Sequence, residues 1–332
     1  MEQLFIAACH KNCKTEKSSS SGGAFTALTD EWFLKYGEKA VVYGCALDEN
    51  LKAKHLRAVT SNDRDKMRGS KYIQSDISGV FEQVADDLKN GNMVLFSGTP
   101  CQIAALLKFV DKLPQKNNLL TVDVICHGVG SNEFFADYIA YLENKYKSNA
   151  VSCNFRGKSR VGSSTSMEIE FADGKKYVAS STRFDWFYSV YYKNYIINAG
   201  CFSCKFAKIQ RCADITIGDM RRKNLGHDTK YKSLIIVNTE KGKALTDLAL
   251  KNMEWVATAE AEIDQPHLYK PSVKPNDYEQ FWGVYNQKGY LAAQKYVGNN
   301  TVLGKTKAVI VDIINFFHLA GLIKKIKHII KN

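Results

Sequence analysis

The sequence predicts an α/β protein: a mixed sheet with flanking helices, a smaller α+β C-terminal part, and a helical tail. Three observations carry this. Short apolar runs alternate with helical spacings through residues 4–147. Residues 167–180 alternate in polarity about Asp173-Gly174, the mark of a β-hairpin. Residues 265–277 hold three of the five prolines, and a basic, apolar stretch follows. The expected parts are residues 1–150, 151–264 and 265–332.

The elements are justified in order. Residues 4–8 are an apolar strand. Residues 24–36 place Phe25, Leu28, Trp32, Phe33 and Tyr36 at helical spacing. Residues 40–46 form a β-rich run behind Gly37, and residues 77–88 are helical. A strand at 93–97 leads to a helix at 102–109, and a strand at 119–125 leads to a helix at 133–147. After the hairpin come an aromatic helix at 184–194 and an irregular turn at 201–211. Strands at 215–217 and 234–238 and a helix at 240–252 complete the second part.

Composition excludes several classes. With 45% hydrophobic and 24% charged residues, the 332-residue chain is neither disordered nor collagenous. The N-terminus lacks a basic start and a cleavage pattern, so a cytoplasmic protein is expected. No run reaches the roughly 18 apolar residues that span a bilayer. Nine cysteines in a reducing compartment are not expected to pair; Cys45 and Cys153 read as buried small hydrophobes. The net charge of +12 is spread along the chain, without an aromatic-and-basic signature, so no nucleic-acid partner is expected.

Five segments carry chemistry. Ser21-Gly22-Gly23 leads directly into the helix at 24, where free N–H groups favour phosphate; serine is equally a plain helix cap. Gly69-Ser70-Lys71-Tyr72, preceded by Arg68, offers cations, a turn, a hydroxyl and a ring, which suit a nucleotide or an ordinary surface turn. Gly98-Thr99-Pro100-Cys101-Gln102 and Cys126-His127-Gly128 each follow a strand, where α/β sheets gather their ligands. Cys201-Phe202-Ser203-Cys204 supplies two more thiols. Four thiolates suit an iron–sulfur cluster or a zinc ion, and spacing alone does not choose between them. The CxxC lies too late in the chain for a thioredoxin-like motif.

Taken with Ala213-Asp214-Ile215-Thr216-Ile217-Gly218-Asp219, these segments resemble the beta subunits of F420-reducing hydrogenase and related dehydrogenases, in the family's order across residues 15–240. The resemblance implies an α/β flavoprotein carrying FAD and a [4Fe-4S] cluster. By it, residues 1–150 form the flavin-binding part and residues 151–264 the cluster-binding part. Cys101, Cys126, Cys201 and Cys204 become the cluster ligands. Ser21, Gly22, Gly23, Gly69, Ser70, Lys71 and Tyr72 become the flavin contacts. A hydride then passes between the flavin and a deazaflavin or another organic substrate, and single electrons pass to a redox partner such as ferredoxin or another subunit. No dedicated catalytic acid or base is implied. Relatives beside surface-polysaccharide enzymes extend the expectation to a sugar or its lipid carrier. The alternatives are a non-catalytic binding partner and a four-cysteine zinc protein.

The sequence departs from the family at three places. Cys9 and Cys13 cannot form the two-cluster ferredoxin-like domain of many relatives. Met220-Arg221 replaces an aromatic pair. Cys212 is additional and is expected to be a small packed residue rather than a ligand. The tail from Thr301 to Asn332 joins apolar residues such as Ile313, Phe316, Phe317 and Ile323 to Lys324, Lys325, Lys327 and Lys331. It reads as a core helix, as an in-plane contact with the inner membrane face, or as a helix for a partner.

Overall fold

The computed structural model describes residues 2–158, 166–179 and 185–297. The chain runs β1 (Leu4–His10), α1 (Cys13–Ser18), α2 (Ala24–Tyr36), β2 (Ala40–Leu47), β3 (Ala53–Ala58), α3 (Ser61–Asp65) and α4 (Val80–Lys89). It continues through β4 (Met93–Gly98), α5 (Pro100–Phe109), β5 (Leu119–Val124), α6 (Asn132–Tyr146), β6 (Ala150–Gly157), β7 (Ser166–Phe171), β8 (Lys176–Val178) and α7 (Trp186–Tyr192). Then follow β9 (Ile215–Asp219), β10 (Arg221–Arg222), β11 (Gly226–His227), β12 (Ser233–Val237), α8 (Glu240–Ala249), β13 (Met253–Thr258), α9 (Tyr278–Lys288) and α10 (Tyr290–Val297). The expected mixed sheet with flanking helices is present. The tail lies outside the described residues.

Two units emerge, each built from two chain segments: Met1–Val129 with Gly200–Ser272, and Gly130–Ala199 with the segment from Val273 onward. The first holds an eight-stranded sheet in the order β13-β1-β12-β9-β5-β4-β2-β3. Its centre is parallel, with β2 beside β4, β4 beside β5, and β5 beside β9. The remaining pairs are antiparallel. Alternation along the strands divides the core between two faces. Val42, Leu95 and Val122 pack with Ala27, Leu28 and Trp32 of α2 and Leu245 of α8. Val41, Tyr43, Val94 and Phe96 pack with Val84 and Leu88 of α4 and Ile103 and Leu106 of α5.

The second unit joins α6, α7, α9 and α10 to the antiparallel sheet β6-β7-β8. The expected hairpin forms, with Gly174 at φ +85° in its turn. Its core is aromatic: Phe135 packs on Phe155 and Phe187. Asp185 is fully buried and caps α7, and it accepts hydrogen bonds from Tyr138 (2.6 Å) and Tyr177 (2.9 Å). Among the described residues, no helix is long and apolar enough to cross a membrane.

Candidate functional site

Every residue expected to bind a cofactor lies in the first unit. The turn that carries Cys101 is fixed by its neighbours. Thr99 N–H donates to Gln102 Oε1 at 2.9 Å, and Gln102 Nε2 donates to Ser75 Oγ at 2.9 Å. Pro100 opens α5, where it forfeits only a hydrogen bond the helix start would not make. Cys101 is thereby exposed in the first turn, with its Sγ 3.1 Å from Thr99 Oγ1.

Cys126 follows the neighbouring parallel strand. Its thiol is pushed up to about 12, first by burial and then by the charges of Cys201, Cys101 and Cys204. The Cys201 thiol is also raised, by burial and by Cys101 and Cys204. Cys126 therefore feels all three of the other thiols, and Cys201 feels Cys101 and Cys204. Two of them also receive backbone donors: Gly128 N–H bonds to Cys126, and Val129 N–H bonds to Cys201. Gly128 has φ +124°, a conformation that side chains resist. Such bonds favour the ionised form of sulfur, against the cost of burial. Among the described residues, no three His, Cys, Asp or Glu side chains converge closely enough to hold a single metal ion.

The CxxC begins in a short 3₁₀ turn, Ala199–Ser203, and the strand after it starts only at Ile215. Arg211 anchors this irregular loop. Its guanidinium donates to the carbonyls of Phe206 (3.1 Å), Lys208 (3.3 Å) and Val124 (3.1 Å). It also pairs with Asp123 on β5, at 2.9 Å. Both side chains are buried, and burial pushes the Asp123 carboxyl upward while Arg211 holds it back. Sequence reasoning missed this pair, since 88 residues separate the partners. It also missed that His127 meets His267, with ring nitrogens 2.6 Å apart. The small packed residue expected at Cys212 is instead exposed, with its sulfur 3.7 Å from the Pro100 carbonyl. Cys45 and Cys153 are partly exposed rather than fully buried.

The two segments expected to meet the flavin lie side by side. Ser70 N–H donates to Ser20 Oγ at 2.7 Å. Arg68 reaches Thr26 Oγ1 in the first turn of α2 at 3.1 Å, and Ser18 Oγ at 3.5 Å. Lys71 Nζ closes its own turn, donating to the carbonyls of Met67, Arg68 and Gly69 at 3.0, 2.9 and 3.1 Å. Gly22 sits where a Cβ would stand 2.6 Å from Ala8 O and 2.9 Å from Ser233 N, so the close approach of β1 and β12 requires glycine there. Ser21 donates to the Lys232 carbonyl. Asp214, within the Ala213–Asp219 motif, is structural: it accepts from Thr121 N–H and from Thr239 Oγ1, tying β5 to the start of α8. Met220 is fully buried beside Ala7 and Leu234.

A protein-family model describing the C terminus of the coenzyme F420 hydrogenase/dehydrogenase beta subunit matches residues 91–262. Among solved structures, a chain of the F420-reducing [NiFe] hydrogenase complex from Methanosarcina barkeri is similar, with a TM-score of 0.53 and 16% identity. The match covers 92% of this chain and 93% of that one, and at this identity it establishes a shared fold. No curated protein matches the sequence.

Proposed function

Because the chain belongs to the coenzyme F420 hydrogenase/dehydrogenase beta-subunit family, an oxidoreductase-associated family, we propose that it is a redox subunit holding FAD and a [4Fe-4S] cluster. One observation carries the reading: Cys126 lies within electrostatic reach of three thiols from two other segments, Cys101, Cys201 and Cys204, and both Cys126 and Cys201 already accept backbone N–H bonds. Four thiolates suit a polynuclear cluster, with Cys101, Cys126, Cys201 and Cys204 as its ligands.

Residues Ser21–Gly23 and Gly69–Tyr72 would hold the flavin. The open N–H groups at the start of α2 and the Arg68 guanidinium beside them suit its phosphates. When bound, the pair of cofactors converts a two-electron hydride into single electrons. The protein's share is placement: Gly128 and Val129 donate to the sulfurs, and Arg211 holds the CxxC loop against β5. The hydride partner is an organic molecule, with a deazaflavin or a lipid-linked sugar as the substrate classes to test. The electron partner is a ferredoxin or another subunit; the similar solved structure is itself a chain of a hydrogenase complex.

The test is anaerobic purification followed by metal and flavin analysis. The proposal expects about four irons and one flavin per chain. Stoichiometric zinc without flavin would replace it with the structural zinc reading. Iron and flavin without flavin reduction by nicotinamide, deazaflavin or reduced ferredoxin would replace the enzyme with a non-catalytic binding partner.

A further inference from the structure

Of the four thiols proposed as cluster ligands, Cys101 alone is exposed; Cys126, Cys201 and Cys204 are half-buried. The surface around Cys101 is thus the side on which the proposed cluster comes nearest to solvent. That surface is basic. Along α5, Ala105 and Lys108 lie four and seven residues beyond Cys101, on the same helix face, and both are exposed. Phe109 beside them is 48% exposed. The CxxC loop approaches from the other end. The Cys212 sulfur lies 3.7 Å from the carbonyl of Pro100, the residue before Cys101, and the Lys208 charge reaches that sulfur. Lys205, directly after Cys204, is exposed, as is Lys208.

These lysines are not neutralised by their surroundings. Lys108, Lys205 and Lys208 form no ion pair among the described residues. Neither α5 nor residues 199–213 contain an aspartate or glutamate. Asp123 is buried and taken up by Arg211, and Asp111, past the end of α5, holds Lys116 at 3.0 Å. Several other lysines of the same unit are paired, Lys54 with Asp48, Lys89 with Asp86 and Lys243 with Asp247. Cations around small and apolar side chains suit a transient encounter, and redox complexes bury under about 1,200 Å² in total.

We propose that this patch docks an acidic protein that carries single electrons, with its carboxylates meeting Lys108, Lys205 and Lys208 and its redox centre facing Cys101. The inference rests on the cluster reading above and gives the electron partner a surface and a charge. Each encounter moves one electron between the partner's centre and the cluster, so that one is oxidised as the other is reduced, and no bond is made or broken. Opposite charge speeds such encounters by about 10–10³-fold. The gain fades with salt, because the screening length falls from about 10 Å at 0.1 M to about 3 Å at 1 M. A nucleic acid or a membrane would need no exposed cluster ligand within the patch.

The test uses the full chain with iron and flavin bound, an acidic ferredoxin as the probe, and two readouts. Carbodiimide cross-linking at low salt, read by peptide mapping, should join ferredoxin carboxylates to Lys108, Lys205 or Lys208, and about 0.5 M salt should abolish it. In stopped flow, Lys108→Glu with Lys208→Glu should slow reduction by the ferredoxin about tenfold or more at low salt, and the difference should close at high salt. Lys108→Arg with Lys208→Arg keeps the charge and should stay within about threefold of wild type. Lys35→Glu with Lys39→Glu changes the net charge equally, at exposed positions in and just beyond the last turn of α2, and should also stay within about threefold. Equal slowing in both glutamate pairs, cross-links confined to other lysines, or slowing that persists at high salt overturns the inference. Unaltered ferredoxin kinetics in Lys108→Glu with Lys208→Glu also overturns it, and loss of binding to phosphatidylserine vesicles in that variant would then assign the patch to a membrane. A wild-type chain that holds iron and is reduced by methyl viologen but not by the ferredoxin overturns the inference and leaves the cluster reading intact. A wild-type chain without iron overturns both.

Discussion

Replacing Arg211 with methionine should destabilise the first unit by about 3–5 kcal/mol, the usual cost of breaking a buried ion pair from one side. Arg211 is 1% exposed and Asp123 0%. The substitution strands the Asp123 carboxylate and removes the donor from the carbonyls of Phe206, Lys208 and Val124. The stranded carboxylate can escape its charge by binding a proton. From an ordinary value of 3.8, that escape limits the carboxylate's share to about 4 kcal/mol at pH 7, and to under about 2 kcal/mol at pH 5, at 1.36 kcal/mol per unit. The penalty should therefore be larger at pH 7 than at pH 5. A double variant, Arg211→Met with Asp123→Leu, removes both charges and should cost less than the sum of the singles by about 2 kcal/mol. Urea unfolding of the four proteins at both pH values measures these quantities. A loss below about 1 kcal/mol for Arg211→Met, or strict additivity, would refute the claim that this pair clamps the cysteine loop.

Two further outcomes follow from local geometry. Gly22→Ala forces a Cβ to within 2.6 Å of Ala8 O, so it should cost at least about 1–3 kcal/mol in thermal or urea unfolding, whereas Gly283→Ala in α9 meets nothing within 4 Å and should be neutral or stabilising by up to about 1 kcal/mol. For His55, buried on β3, the folded pKa of about 4 lies below the ordinary 6.5. The unfolded chain binds the proton first, so stability is intact above pH 6.5 and is lost as pH falls toward 4, by about 3 kcal/mol in total. Subtracting the pH–stability curve of His55→Gln from that of the wild type should isolate this slope; parallel curves would contradict it.

Much of the fold was legible because periodicity reports burial. Residues 24–36 repeat apolar side chains at helical spacing, Leu28 and Trp32 of that set are buried, and the helix α2 spans those residues. The strands at 93 and 119 are apolar runs bounded by turns, and the central parallel sheet uses them. The strands that escaped notice lack such runs. β3 reads Ala-Lys-His-Leu-Arg-Ala, and its pairing with β2 rests on backbone bonds and small residues. β13 is an edge strand with Trp255 and Val256 exposed, so alternation gives little signal. Of the candidate site, the cysteines and glycines were legible as motifs. Asp123, Arg211 and His267 were not. Each is a single polar residue whose role arises from a partner brought close by folding, and no local pattern encodes that partner.

The central claim is the ligand set, and nine single Cys→Ser variants test it most directly. Each is purified anaerobically, reconstituted with iron and sulfide under identical conditions, and assayed for iron and for the visible absorption of the cluster. The account predicts that Cys101→Ser, Cys126→Ser, Cys201→Ser and Cys204→Ser lose most of the iron. Substitution of Cys9, Cys13, Cys45, Cys153 or Cys212 should leave it in place. Wild-type levels of iron in any of the first four, or its loss with exposed Cys212, would contradict the account.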